Sequence, residues 1–474
     1  MKTFNSLLCH TVAGLALTLG SVAQGAAAAI AISGRPVPKL VAFDDAMTEL
    51  MSDNDIEAGV LGVMRNGTIV YLRGFGLLTT GVNMPENALV RLASCTKPIT
   101  AAAVRERIES GTYTLNQRAF NITGNGGALN VAAFPQLGDA RYRSISISNL
   151  LTHSAGWDRT QPDGDLTYQE RTVSKEMGLP GVPGRANVLR WVSGHPLYFA
   201  PGTDARYSNE GYLSLGFLVD DDTSGYLSYL RTRVFTPSLW IPSTEVIQAA
   251  TYRSQSNVRE PWYRTRFTSF DVQEPGGDAP IVNAAYGSFD LTARLGQGGI
   301  VASAAAMLEL GNRHHIQVGN ITGSGRFIGL SIDANNPLTV EESHNGGQPG
   351  VNTQLWHRTD GVVAFVFFNK NAGDDNRSHY GGQLRTKLNT LIAGMSDSEW
   401  PTASSDGFWV LPQSGEPDTG LGGYHSPYKG FASAVNRVRD HSRVRLKPGT
   451  TSWTGLISKR LFLDAPLGTA VLGQ

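Results

Sequence analysis

Residues 91–104 read Arg91-Leu-Ala-Ser-Cys-Thr-Lys-Pro-Ile-Thr-Ala-Ala-Ala-Val104, which sets Ser94 and Lys97 three residues apart where an alanine-rich helix begins. Side chains at this spacing share one face of a helix. A serine hydroxyl is a weak nucleophile and needs a base within hydrogen-bond reach, which an amine one turn away can supply. The positive end of the helix dipole stabilises negative charge on Ser94 and disfavours a protonated Lys97. The stretch therefore predicts Ser94 as a nucleophile and Lys97 as its partner.

Two alternatives to this nucleophile are present in the chain. A second Ser-x-x-Lys spacing occurs at Ser426-Pro-Tyr-Lys429, and such a spacing is expected about once or twice by chance at this length and composition. The first copy is favoured because a helix follows it directly and two further motifs lie downstream. Cys95 is the other alternative, although a free cysteine is more often a small buried apolar residue.

Length and charge set the broad class of the protein. A chain of 474 residues can form one large catalytic unit or two to three domains with a substantial core. Lys plus Arg and Asp plus Glu are equal at 40 each, so no net field draws the chain to nucleic acid or to an anionic membrane. The composition predicts an ordinary globular protein without a nucleic-acid partner.

The N-terminus has the composition of a secretory signal peptide. Lys2 precedes a mainly apolar run at 7–19 and small residues at 21–29. The apolar run is too short to span a bilayer as a stable helix. We therefore predict that residues 1–29 are a signal peptide and that the mature protein is exported, periplasmic or secreted, without a membrane span. Removal of Cys9 with the signal would leave Cys95 as the only cysteine, so no intramolecular disulfide is expected.

Hydrophobic patterns around the first motif predict an α+β fold. Residues 39–52 have apolar positions at helical spacing, and residues 59–73 form two apolar runs around Asn66-Gly67, a strong hairpin signal. Further on, Ser343 to Trp356 and Gly361 to Asn369 are predicted to be paired strands that turn at Asp360-Gly361.

The second motif is Tyr207-Ser208-Asn209. A phenol close to a lysine can accept or donate a proton, and an amide can hold a substrate carbonyl. Tyr207 is therefore a candidate general base or acid. Alone, a Tyr-x-Asn triplet is a weak signal that a surface turn explains equally well, and it gains weight only together with Ser94 and Lys97.

The third motif is His344-Asn345-Gly346, at the start of a predicted strand. Glycines here allow a substrate backbone to lie against the strand edge. Such an edge can offer the Gly347 N–H as one oxyanion donor, with the Ser94 N–H as the other. A second His-x-Gly at His379-Tyr380-Gly381 lies beyond the strands, before a predicted helix.

Two other histidines, His153 and His195, lie in the loosely patterned middle of the chain. His153 follows a short apolar run that we expect to be a helix end closed by Gly156. A catalytic role for His153 is conceivable because histidine titrates near neutral pH, but nothing nearby orients it. A structural role is the default for both histidines.

Taken in order, Ser-x-x-Lys, Tyr-x-Asn and His-x-Gly resemble the serine β-lactamase and penicillin-binding-protein superfamily. The similarity is closest to the class C β-lactamase-like branch, with its DD-peptidases, D-aminopeptidases and family VIII carboxylesterases. It covers roughly residues 40–395. The stretches that carry it are Arg91 to Pro98, Leu150 to Gly156, Pro201 to Thr203, Tyr207 to Tyr212, Gly298 to Val301 and His344 to Gly350.

The resemblance implies an antiparallel β-sheet flanked by helices, a second and mainly helical domain, and an active site between the two. A catalytic unit would occupy 30–395, with the sheet part at 30–115 and 281–395 and the helical part at 116–280. Residues 396–474 would be an extension without an assigned role.

The resemblance also implies an acyl-enzyme mechanism without a metal or cofactor. Ser94 would attack a carbonyl, and Lys97 and Tyr207 would move protons. The resemblance further implies substrate-binding or proton-network roles for the residues at the second and third motifs. These are Asn209, His344, Asn345 and Gly346.

One departure from the pattern guides the functional prediction. β-Lactamases carry Lys-Thr-Gly where this chain has His344-Asn345-Gly346, and that lysine attracts the substrate carboxylate. An imidazole is a weaker anion anchor at neutral pH, which favours a carboxylesterase acting on small-molecule esters. A peptidase or amidase is the alternative, followed by a weak β-lactamase and a non-catalytic homologue. The substrate and the oligomeric state stay open.

Overall fold

The computed structural model describes residues 29–221, 225–235, 241, 243–316, 332, 337–401, 408–412, 427–438, 443–465 and 467–473. All but the last residue of the predicted signal peptide lies outside these ranges, as does Ser426 of the second Ser-x-x-Lys copy. Within the described ranges, no helix is both long enough and apolar enough to cross a bilayer.

Helices and short strands are interleaved along the chain. The strands are β1 (Ile32–Ser33), β2 (Ala58–Arg65), β3 (Thr68–Thr79), β4 (Val82–Asn83), β5 (Leu89–Arg91), β6 (Val246–Gln248), β7 (Thr268–Phe270), β8 (Ile281–Asn283), β9 (Ile300–Ser303), β10 (Glu342–Gln348), β11 (Val351–His357), β12 (Val362–Phe368), β13 (Phe408–Leu411), β14 (Tyr428–Lys429), β15 (Arg443–Leu446), β16 (Gly449–Thr451), β17 (Phe462–Asp464) and β18 (Ala470–Leu472). The α-helices are α1 (Val41–Asp53), α2 (Thr96–Glu109), α3 (Ile147–Leu151), α4 (Glu170–Glu176), α5 (Gly184–Val192), α6 (Asn209–Asp221), α7 (Tyr226–Tyr229), α8 (Ala304–Arg313), α9 (Tyr380–Ala393) and α10 (Phe431–Arg437).

The main sheet is antiparallel and has the order β1-β3-β2-β12-β11-β10, with β4 paired to β3. The predicted hairpin between β2 and β3 is confirmed. Asn66 and Gly67 take φ values of 47° and 76°, the left-handed conformation that a two-residue hairpin turn of type I′ requires. Strand β10 lies at the edge of the sheet, which leaves one side of its backbone unpaired within the sheet.

The prediction for residues 343–369 was wrong in one respect. The turn at Asp360-Gly361 is present, but Ser343 to Trp356 is two strands rather than one. Strands β10 and β11 pair with each other around Pro349-Gly350, where Gly350 has a φ of 71°. A glycine free to take this conformation permits the additional hairpin.

Both faces of the main sheet are covered, so its central strands are apolar on both sides. On one face, Val60 and Phe365 belong to the larger hydrophobic core, against which α8 packs. On the other face, Leu61 and Val366 belong to a second core shared with α1 and α9. Helix α1 begins and ends within two residues of the predicted first helix.

Helices α2, α3, α5 and α6 form a layer that contributes side chains to the larger core. Helix α2 packs against α6, which also contacts α3 and α5. A short antiparallel sheet with the order β5-β9-β6 connects this layer to the rest, because β6 at Val246–Gln248 pairs with β9. The proposed division at residues 115 and 280 stays a prediction.

The C-terminal segment has its own small core. Strands β14, β13, β15 and β17 lie side by side in parallel, and α10 packs on β13 and β14. The segment also contacts the catalytic unit, since Trp409 and Leu467 are part of the larger core. Lys447, next to β15, lies close enough to Glu309 of α8 for the two charges to interact.

Candidate active site

The backbone around Ser94 is unusual. Ala93 has a φ of 48°, the left-handed region that non-glycine residues rarely adopt. A single 3-10 turn at Ala93–Cys95 follows, and α2 begins at Thr96. Pro98 therefore lies in the first turn of α2, where its missing N–H costs no hydrogen bond. Backbone strain of about 1–3 kcal/mol at such a position is typical of functional sites.

The ammonium group of Lys97 is fully buried and has three oxygen neighbours. Its Nζ lies 2.7 Å from Asn209 Oδ1, 2.8 Å from the Gln297 carbonyl oxygen and 3.3 Å from Ser94 Oγ. The first two oxygens can only accept hydrogen bonds. A neutral amine that donates its two N–H groups to them keeps its lone pair for Ser94. Lys97 is thereby arranged to accept the Ser94 hydroxyl proton.

The environment of Lys97 favours this neutral form. The pKa of Lys97 is lowered to about 7, chiefly by burial; the charge of Asp165 opposes this shift, Arg159 adds to it, and Glu210 opposes it. Desolvation penalises the ammonium because an isolated charge loses its hydration. At neutral pH a large fraction of Lys97 is therefore available as a base.

The orientation of Asn209 is fixed by Asp165. Asn209 is buried as the first residue of α6, and its Nδ2 donates to Asp165 Oδ2 at 2.6 Å, which turns Oδ1 toward Lys97. Asp165 is fixed in turn because its Oδ1 accepts from the backbone and side chain of Thr167. The structure thus brings Asn209 into hydrogen-bond contact with Lys97.

Tyr207 lies against the serine and the lysine. Its hydroxyl lies close enough to the Ser94 side chain for the two groups to interact, and the Lys97 Nζ is 4.8 Å from its ring centroid. Burial raises the pKa of Tyr207 above its ordinary value, and the interaction with Ser94 offsets this only in part. Tyr207 is therefore a phenol near neutral pH.

His153 supports Tyr207. Its Nδ1 accepts from the Ser208 N–H at 3.1 Å, and its ring packs 4.6 Å from the Tyr207 ring and 5.1 Å from the Tyr212 ring. These contacts fit the structural role expected for it. The expected helix end at Gly156 was wrong, since α3 ends at Leu151 and His153 itself takes a φ of 57°.

His195, for which a structural role was also expected, is not among the residues that contact Ser94 or Lys97 in the described structure. Its Nδ1 is 3.0 Å from the Trp191 carbonyl oxygen, and its ring packs 4.0 Å from the Trp191 ring. These contacts hold it at the end of α5.

The His-x-Gly motif approaches Ser94 along the edge strand β10. The His344 ring is buried, its Nδ1 is 2.7 Å from the Asn345 carbonyl oxygen, and burial with the nearby Lys97 charge lowers its pKa to about 3. A methyl group on Gly346 would overlap Thr353 Oγ1 and the Leu92 carbonyl oxygen. Glycine therefore permits the close approach of β10 to the segment that carries Ser94.

Asn345 and Gly347 are exposed on the same strand. In a hairpin closed by a two-residue turn, the pair next to the turn is hydrogen-bonded and the next pair directs its N–H groups outward. Gln348 pairs with Val351 and Gly347 with Asn352, so the Gly347 N–H faces the free edge of β10. This register agrees with the predicted oxyanion role of Gly347.

The second His-x-Gly copy has a structural task. His379 caps α9, where its Nδ1 accepts from the Gly382 N–H at 3.2 Å. Its Nε2 donates to the Gly346 carbonyl oxygen at 3.3 Å. His379 thus steadies the strand that carries the first copy.

Cys95 does not face the site as a nucleophile. Its side chain is buried, its Sγ donates to the His344 carbonyl oxygen at 3.3 Å, and burial raises its thiol pKa to about 12. A thiol in this state is unreactive.

Sequence reasoning missed three neighbours of the site. Asp165 orients Asn209, the Gln297 carbonyl accepts from Lys97, and Arg159 lies over the Tyr207 ring at 4.6 Å. Of these three, only Gln297 could have been found from the sequence, because it directly precedes the Gly298 to Val301 stretch that carries part of the resemblance. Among the described side chains, no group of three or more His, Cys, Asp or Glu could hold a metal ion.

A serine faced by a buried lysine and a tyrosine, at the edge of an antiparallel sheet flanked by helices, defines a serine hydrolase with the β-lactamase/transpeptidase-like fold. The sequence model of the family described as Beta-lactamase matches residues 43–384, and the chain belongs to this family.

The chain and its structure are similar to several known proteins. The chain is 32% identical to Esterase EstB of Burkholderia gladioli over 170 residues, which cover 35% of this chain and 40% of EstB. The structure is similar to an octameric penicillin-binding protein homologue from Pyrococcus abyssi, at 16% identity and a TM-score of 0.52, over 76% of this chain and 79% of that one. D-amino acid amidase from Ochrobactrum anthropi SV3 matches at 16% identity and a TM-score of 0.51, over 74% of this chain and all of the amidase. The sequence matches thus span less than half the length of the curated relatives.

Proposed function

We propose that this serine hydrolase is a carboxylesterase that acts on small-molecule esters through an acyl-enzyme on Ser94. The observation that carries the proposal is the arrangement of Lys97, whose N–H groups are occupied by Asn209 and Gln297 and whose remaining neighbour is the Ser94 hydroxyl. This is the geometry that a serine needs to become a nucleophile.

In the first step, Ser94 Oγ attacks the ester carbonyl carbon while its proton moves to Lys97 Nζ. The oxygen of the tetrahedral intermediate takes up negative charge, which the Ser94 and Gly347 N–H groups stabilise. The ester C–O bond then breaks, and the Tyr207 phenol gives its proton to the leaving oxygen. Lys97 returns the proton it took from Ser94 to Tyr207. A water molecule next releases the acyl group by the same proton transfers in reverse.

The His344 position supports esters over β-lactams. Its ring is buried and neutral at working pH, so the strand offers no cation for a substrate carboxylate. The similarity to EstB supports the same choice, although it covers a minority of either chain.

The proposal is tested with the mature protein on matched substrates. We expect turnover of 4-nitrophenyl butyrate at a rate far above that of butyryl 4-nitroanilide and of a chromogenic cephalosporin. Ser94→Ala should abolish both turnover and labelling by a fluorophosphonate. A faster anilide or cephalosporin reaction would overturn the ester assignment, and a labelled Ser94→Ala protein would place the nucleophile elsewhere.

An amidase or peptidase is the second candidate, and Tyr207 favours it. An amine leaves a tetrahedral intermediate only when it is protonated, and the half-buried phenol of Tyr207 is held in the form that can protonate it. Tyr207→Phe separates the two functions. For an esterase, an activated 4-nitrophenyl ester should lose less rate than a phenyl ester, because nitrophenolate leaves without a proton. A panel of D- and L-aminoacyl anilides that loses about 10²- to 10⁴-fold in the same variant would indicate an amidase.

A further inference from the structure

Arg159 is an exposed cation at the opening of the active site. Its guanidinium carbon lies 4.6 Å from the Tyr207 ring centroid, a stacking distance typical of a cation–π contact. Its side chain is exposed to solvent. The charge of Arg159 also acts on both Lys97 and Tyr207, which places it beside the reacting groups rather than on a distant surface.

The acidic residues nearest to Arg159 in the chain are engaged elsewhere. Asp158 accepts hydrogen bonds from Thr160 and Gln161, and Asp163 accepts from the Tyr198 hydroxyl. Within the part of the chain that the structure describes, no carboxylate lies within ion-pair distance of the Arg159 guanidinium. Its donors are therefore available to a ligand.

The other basic residues near Ser94, Lys97 and His344, do not present an accessible positive charge to a ligand. Lys97 is buried, and its nitrogen is surrounded by Asn209, Gln297 and Ser94. His344 occupies the strand position and is neutral. Arginine stays charged at any working pH and presents donors that match a carboxylate in a bidentate manner. Among the residues that the structure describes, the accessible positive charge of the site thus lies on the Tyr207 side.

We propose that Arg159 binds a carboxylate on the leaving-group half of the substrate, so that the enzyme prefers esters of acidic alcohols or phenols. This inference rests on the proposed function. In that mechanism Tyr207 gives its proton to the leaving oxygen, so the leaving group lies next to Tyr207 and within reach of the guanidinium stacked on its ring.

An aromatic face at the same opening fits this class of leaving group. Tyr168 is 45% exposed, and it lies close enough to Tyr207 and to the Arg159 charge for electrostatic interaction. Its ring is held from behind by the Arg294 guanidinium at 3.8 Å and by Phe289 at 5.5 Å. A phenol bearing a carboxylate can contact Tyr168 and Arg159 together.

The experiment compares two esters of equal size in the mature, full-length protein. They are 3-carboxyphenyl butyrate and 3-carbamoylphenyl butyrate, which share an acyl group and differ in charge on the leaving group. In Arg159→Gln we expect kcat/KM for the carboxylate ester to fall on the order of tenfold or more relative to the carbamoyl ester, the usual worth of a charge-assisted hydrogen bond. Arg159→Lys should retain part of the preference, because it keeps the charge but loses the bidentate fork.

Arg206→Gln is the matched control. It removes the same charge from an exposed side chain next to Tyr207 in sequence, but Arg206 is paired with Asp204 at 2.9 Å. We expect the ratio of the two esters to change by less than about twofold in this variant, as for an exposed ion pair. Equal losses for both esters in Arg159→Gln, or an equal change of the ratio in Arg206→Gln, would overturn the proposal, because a general electrostatic effect on Lys97 moves both esters together.

A second measurement does not depend on ester turnover. In the parent protein, 3-hydroxybenzoate should slow labelling of Ser94 by a fluorophosphonate at lower concentration than 3-hydroxybenzamide does. The difference should vanish in Arg159→Gln. If esters are not turned over but this difference is present, the proposed function fails and the role of Arg159 stands. If the two compounds protect Ser94 equally in the parent protein, the role of Arg159 fails.

Discussion

Lys97 and Lys447 are two buried lysines with different neighbours. Burial lowers the pKa of Lys97 to about 7 and that of Lys447 to about 8. Lys97 is hydrogen-bonded to a serine hydroxyl and two uncharged acceptor oxygens, and the Asp165 and Glu210 charges also act on it. Lys447 lies near the carboxylate of Glu309. Loss of hydration thus makes Lys97 a base, whereas Lys447 serves as a structural cation. A lowered lysine pKa becomes chemically useful only when the amine faces a nucleophile.

The largest expected difference between the two lysines is in turnover. Lys97→Met should lower kcat by at least about 10³-fold, because Ser94 loses its base. Lys447→Met should leave kcat within about threefold and lower the free energy of unfolding by about 3 kcal/mol, because Glu309 keeps a buried charge without this cation. Steady-state kinetics and urea unfolding of both variants provide the measurements.

Glu309→Gln in the Lys447→Met background is the matched control for that loss of stability. Removing the buried carboxylate should restore part of the unfolding free energy. If Lys447→Met reduced turnover as much as Lys97→Met did, the contrast between the two lysines would be wrong.

A smaller effect is expected from pH. Turnover requires neutral Lys97, so kcat/KM should be constant above about pH 7 and fall about tenfold per unit below it.

The free energy of unfolding should also increase with pH. Both lysines have folded-state pKa values below their ordinary 10.5, so the unfolded chain binds more protons between about pH 7 and 10.5 and stability rises with pH there.

The two pH effects are separable by variants. Lys447→Met should reduce the rise in unfolding free energy between about pH 8 and 10.5 and leave the acid limb of the activity profile in place. Activity that stayed constant down to pH 4 would contradict a lysine base at Ser94.

The smallest expected effect concerns Asp165, whose carboxylate raises the pKa of Lys97 and orients Asn209. Asp165→Asn removes that charge, so the acid limb should shift to lower pH by less than about one unit, and kcat should fall several-fold as Asn209 loosens. Asp163→Asn is the control, because this exposed neighbour binds Tyr198 instead. A limb that moved to higher pH in Asp165→Asn would contradict the electrostatic role given to Asp165.

Local signals in the sequence predicted the parts of the fold and site that depend on neighbouring residues. Ser94 and Lys97 share a turn, and the hairpin at Asn66-Gly67 depends on two adjacent residues, so both were accessible from spacing alone. The order of three motifs identified the family, which the match to residues 43–384 shows.

Contacts between distant residues were not accessible in the same way. The Gln297 carbonyl is 200 residues from Lys97 in sequence, and Asp165 is 44 residues from Asn209. A backbone carbonyl has no residue-type signature, and Asp165 lies in a glycine-rich stretch without periodicity. The hairpin at Pro349-Gly350 was missed because the flanking residues read equally well as one long strand.

Gly346 has a consequence for how such a site can change. Its hydrogen atom fills the space where any side chain would overlap Thr353 and the Leu92 carbonyl, and the Ser94 amide nitrogen would lie only 3.1 Å from an added methyl group. The distance between β10 and the segment that carries Ser94 thus depends on the absence of a side chain at Gly346. Any residue larger than glycine at this position would therefore displace β10 from the segment that carries the nucleophile, so Gly346 constrains the backbone where its neighbours His344 and Asn345 constrain only side chains.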